Sequence, residues 1–147
     1  MIPLDIDAAM RLQPGEVIRA DTESAQRGLI ELGVREGSEF WDFFVNYVST
    51  HFASEASFEE LCDVAIPINE MMSGTEFVAD VWGVPPGYIC MTSVQGEGCY
   101  LYDLSTEKLF DFNVGDAEKL VTGKLPCSWH SFNDFIRWFL GITPTMA

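Results

Sequence analysis

The chain has 147 residues, 48% of them apolar, which is enough for one domain with a core of its own. Its 23 acidic and 8 basic side chains give a net charge of −15 and argue against binding a phosphate backbone, which needs lysine and arginine to release counterions. Residues 1–80 carry 16 acids and 4 bases (net −12), residues 81–147 carry 7 and 4 (net −3), and no lysine or arginine falls between Glu36 and Glu107.

Residues 7–13 predict a short helix entered at Asp7, with Ile6, Ala9 and Met10 apolar, broken by Pro14-Gly15. Asp21 or Thr22 caps a firmer helix bearing Ala25, Leu29 and Leu32. Ser38 caps another over 39–49, where Phe40, Phe43, Phe44, Tyr47 and Val48 recur at i, i+3, i+4, i+7 and i+8. Its wet side carries Asp42 and Asn46. Residues 50–80 are hardest to read. Ser57 caps a turn holding Glu59 and Glu60, Cys62 to Ile68 is extended, and Ser73-Gly74 is a turn. From Val84 the pattern turns to strands. Pro85-Pro86-Gly87 is a turn, Tyr88–Thr92 a strand, Gln95 to Gly98 a hairpin loop, and Cys99–Leu104 the returning strand. Ser105-Thr106-Glu107 closes a second hairpin into Lys108–Asn113. Tyr100 and Tyr102 face one way, Leu101 and Asp103 the other. A helical turn is expected at 116–121 and a loop from Gly123 to Pro126. Ser131, with Asp134 three residues on, opens a last helix whose stripe is Phe132, Phe135, Ile136 and Phe139. Gly141 and Pro144 end it.

No motif specifies an enzyme or a cofactor. The two histidines, His51 and His130, lie far apart, and His51 near a helix end reads as structural. Cys127 and His130 are three apart and are the one conceivable nucleophile–base pair. Cys62, Cys90, Cys99 and Cys127 lack metal spacing and are expected as free thiols. Asp5-x-Asp7 lacks the rest of a calcium loop. Gly96-Glu97-Gly98 lacks the strand–helix context of a phosphate cradle. The opening Met1-Ile2-Pro3-Leu4-Asp5 turns acidic at once, unlike a signal peptide. No apolar run is long enough to span a bilayer. A cytoplasmic protein that binds neither nucleic acid nor membrane, as a monomer or weak dimer, is the expectation.

Several segments occur in a familiar order: Val84-Pro85-Pro86-Gly87-Tyr88-Ile89, Tyr100-Leu101-Tyr102-Asp103-Leu104, Lys108-Leu109-Phe110-Asp111-Phe112 and Ser131-Phe132-x-x-Phe135. Upstream stand Ile30-Glu31-Leu32-Gly33-Val34 and Phe40 to Tyr47. Together they resemble the SUKH superfamily, which includes a yeast cell-wall regulator and many bacterial immunity proteins. The resemblance spans about residues 25–141. It departs at Arg35-Glu36-Gly37, where the family often has Leu-Pro, and at Ser49-Thr50-His51, where it tends to have Asn-Gly. It implies a single α+β domain over 1–147, with residues 1–20 as an N-terminal extension and helices packed on an antiparallel meander. It also implies a non-enzymatic protein that neutralises a cognate toxin, commonly a nuclease or nucleic-acid deaminase.

Acids without a structural explanation concentrate between Glu55 and Asp80, so the expected surface for a basic toxin is Glu55, Glu59, Glu60, Asp63, Glu70, Glu76 and Asp80. Acidic groups steer a basic partner in, and exposed aromatics hold it. Phe77 and Trp82 are the anchors, with core packing as their competing explanation. The alternatives are a regulatory or scaffold protein of the same fold, and a thiol hydrolase using Cys127.

Overall fold

In the computed structural model, which describes residues 1–49, 56–57, 59–94 and 96–142, six helices surround a small sheet. The helices are α1 (Leu4–Arg11), α2 (Thr22–Leu32), α3 (Glu39–Asn46), α4 (Glu70–Trp82), α5 (Ala117–Val121) and α6 (Phe132–Phe139). The strands β1 (Tyr88–Cys90), β2 (Gly98–Asp103) and β3 (Leu109–Asn113) form an antiparallel meander in the order β1-β2-β3. The chain is α+β, as the sequence implies.

Caps start the helices where short polar side chains precede apolar stripes. Asp21 accepts from Ser24 N (3.2 Å), Ser38 from Trp41 N (3.2 Å) and Ser131 from Asp134 N (3.2 Å). Two helices differ from expectation. α1 begins at Leu4 rather than Asp7, because Pro3 already holds a φ of −59° and its carbonyl takes Asp7 N. α3 stops at Asn46; Tyr47 is extended and bridges Ile18, although its ring stays buried as the periodicity requires. His51, Glu55, Phe58, Gln95 and Pro144 lie outside the described residues.

The larger correction concerns Ser73-Gly74, which is no turn but the interior of α4. Asn69 caps this helix through Met72 N (3.2 Å), and Gly83, at a φ of 73° that only glycine adopts freely, ends it.

The sheet is buried on both faces. Ile89, Tyr100, Tyr102 and Leu109 face α1, α2, α3 and α6, where Phe40, Phe43, Phe44 and Phe132 interlock. Ring centroids there sit 4.5 Å apart for Phe40–Tyr102 and 5.0 Å for Phe40–Phe132, the tilted and edge-on packing that aromatic quadrupoles favour. Cys90, Cys99, Leu101, Phe110 and Phe112 face the other way, under Val78 of α4 and Leu120 of α5. Both edges are engaged. Thr75 Oγ1 of α4 accepts from Cys90 N (3.0 Å), Cys62 N donates to Met91 O (2.9 Å), and Leu109 N of β3 donates to Trp129 O (2.9 Å). The first twenty residues pack against the rest of the fold: Ile6, Met10 and Val17 lie in the core, and Asp5 pairs with Arg137 of α6 at 2.8 Å.

Candidate partner-binding surface

The acids between Glu59 and Asp80 separate into three environments. Asp63 is inside. Its carboxylate holds Arg19 by two bonds (2.5 and 3.1 Å), and the same guanidinium donates to the carbonyls of Phe44 and Tyr47 at 2.8 Å each. Ser49 Oγ adds a third donor to Asp63 at 3.2 Å. Burial and this full set of partners remove Asp63 from any binding surface; it ties the extended segment after Leu61 to the end of α3. Glu70 is half-buried and accepts from Asp63 N (3.2 Å), so it also braces that segment.

Glu59 and Glu60 lie beside the hairpin. Glu59 N donates to Ser57 Oγ (3.1 Å), the turn the sequence predicts, and its carboxylate accepts from Ser93 Oγ (2.5 Å). Glu59 lines a cleft of about 230 Å³ with Glu97, Tyr100 and Asp111. Glu60 is exposed.

Glu76, Phe77 and Asp80 form the third group, on α4. This helix has three distinct sides. Met71 and Val78 face the core. Met72, Thr75, Glu76 and Ala79, at i, i+3, i+4 and i+7, line a groove of about 300 Å³ closed by Leu32, Pro85, Pro86, Tyr88 and Leu104. Phe77, Asp80 and Val81 point to solvent, with Phe77 38% and Val81 61% exposed. Trp82 is half-buried: it stacks on Phe112 with centroids 6.3 Å apart and meets Phe77 edge-on at 5.5 Å. Trp82 is therefore a support under Phe77 more than an anchor.

Charge distinguishes this surface. All five arginines of the chain pair with carboxylates: Arg11–Asp7, Arg19–Asp63, Arg27–Glu23, Arg35–Glu107 and Arg137–Asp5. Among the described residues, Glu76 and Asp80 have no hydrogen-bond or ion-pair partner. Glu31, on the opposite bank, accepts from Asn69 Nδ2 (3.3 Å). The groove is thus apolar at its floor and acidic at its lips. Burial, with Asp103 adding to it, raises the Tyr88 phenol above its usual range, so Tyr88 stays a neutral hydrogen-bonding group.

The groove residues Met72, Ala79, Pro85, Pro86, Tyr88 and Leu104 escape a reading of the sequence by charge. The bracket from Asn69 to Gly83 was the signal that could have found their helix. Elsewhere, Cys127 Sγ and His130 Nδ1 do come together, at 3.6 Å. Among the described residues no group of three His, Cys, Asp or Glu is placed to hold a metal ion. No helix among them is long and apolar enough to cross a membrane. Comparison with family models, curated proteins and solved structures finds no match.

Proposed function

We propose that this chain is a non-enzymatic immunity protein of the SUKH kind, which binds a basic effector toxin and occludes it. The observation that carries the reading is the surface of α4, where the unpaired carboxylates of Glu76 and Asp80 flank exposed Phe77 and Val81 beside an apolar groove. Carboxylates with no internal partner add to the field that steers a cationic partner, and desolvated apolar contacts then slow its escape. A lysine- or arginine-bearing amphipathic segment of the toxin is the complementary shape and charge. The SUKH-like order of segments supports the same reading.

The test pairs the purified protein with the toxin encoded beside its gene. Inhibition at stoichiometric concentration is expected. Glu76→Lys with Asp80→Lys lowers the association rate and flattens its dependence on salt. Phe77→Ala raises the dissociation rate by about tenfold or more, as at interface hot spots. A toxin equally active with and without the protein would sink the proposal.

A further inference from the structure

We infer that Cys127 is a thiol-exchange site, at which low-molecular-weight disulfides of neutral or cationic character form a mixed disulfide with His130 as the proton acceptor. The four thiols of this chain are unequal. Cys90 and Cys99 are buried between the sheet and α4; Cys90 Sγ donates to Thr92 O (3.3 Å). The Cys90 thiol beside it and then burial push the Cys99 pKa far up. Burial, and next the charge of Glu70, push Cys62 up to about 12. A thiol so held exposes almost no thiolate, the nucleophilic form.

Cys127 differs in access and in neighbour. It is half-buried, in a loop pinned to β3 by Ser128 N donating to Leu109 O (2.9 Å), and His130 Nδ1 lies 3.6 Å from its sulfur. Among the described residues His130 makes no other hydrogen bond, and in the tautomer protonated at Nε2 its Nδ1 lone pair faces this thiol. His130 also lines a cleft of about 360 Å³ with Arg35, Glu39, Thr106 and Glu107. The cleft's guanidinium is already engaged by Glu107 (3.1 Å), and the chain's net charge of −15 repels anionic reagents.

In the exchange, the thiol proton passes to His130 and the Cys127 sulfur attacks one sulfur of RS–SR. The S–S bond of the reagent breaks as the Cys127–S–S–R bond forms, and the departing RS⁻ takes the proton from the imidazolium. Cys127 is oxidised, one RS unit is reduced to RSH, and no other oxidant is needed.

Cystamine is the probe, with peptide mapping of the native protein by mass spectrometry over time. The adduct is expected at Cys127 before any other cysteine. His130→Gln, which alters an exposed side chain, slows that adduct on the order of tenfold by withdrawing the proton acceptor. First modification at Cys62, Cys90 or Cys99 overturns the inference, and so does a Cys127 rate that His130→Gln leaves unchanged. The wild-type map alone decides the first point and depends on no variant.

Discussion

Arg19 and Asp63 stand 44 positions apart in the chain, yet the guanidinium gives all its bonds to Asp63 and to two carbonyls at the end of α3. Both side chains are under 10% exposed, so removing one leaves the other charged and out of water. Asp63→Ala is expected to cost about 3–5 kcal/mol, read as a lower urea midpoint with an unchanged slope. Asp111 on β3 behaves in the opposite sense. Desolvation, then the charge of Asp116, raise its carboxyl pKa above the ordinary 3.8. A raised folded value means the folded state holds this proton more tightly than the unfolded chain. The ionised carboxylate therefore weakens the fold above that range and has no effect well below it. Asp111→Asn should raise the melting temperature at pH 7 and leave it unchanged at pH 3. Asp5, whose carboxyl is held low mainly by its hydrogen bond from Arg137, contributes stability in the opposite window: present near neutral pH and lost on strong acidification.

Two glycines within helices make a matched test at the scale of elements. A Cβ on Gly28 of α2 would overlap the Val64 carbonyl, whereas one on Gly74 of α4 meets Cys90 Sγ at 3.5 Å, an ordinary contact. Helix propensity alone favours alanine at both by roughly 1 kcal/mol. The substitutions should diverge: Gly74→Ala stabilises by up to about that amount, while Gly28→Ala destabilises because α2 must move off the 61–65 segment. Denaturant titration of both variants gives the two signs. Gly28 also explains how the segment after Leu61 approaches α2 so closely.

The elements that a reader of the sequence finds are those with one wet side. Ser38 and Ser131 cap helices whose phenylalanines fall on a single stripe. α4 hides because it has apolar groups on three sides, Met71 and Val78, Met72 and Ala79, Phe77 and Val81, so no single period emerges. The acidic surface is half legible for a related reason. Asp63 and Asp80 look alike in a base-free run, and only the fold reveals that one of them meets Arg19.

Over the whole molecule, a charge of −15 repels itself across a small volume. Chloride salts screen that repulsion, so the melting temperature should rise between low salt and about 0.5 M NaCl, where the screening length falls to a few Å. A flat response would mean that the surplus acids lie too far apart to repel one another measurably. The charge is uneven along the chain, residues 81–147 holding only −3 of the total. The meander, finally, sets a clock. β2 lies between two strands and beneath helices on both faces, with Cys99, Leu101 and Tyr102 all but sealed from solvent. Its central amides are expected to exchange with deuterium last, through opening of the whole fold, and their slowest rates then report the global unfolding free energy.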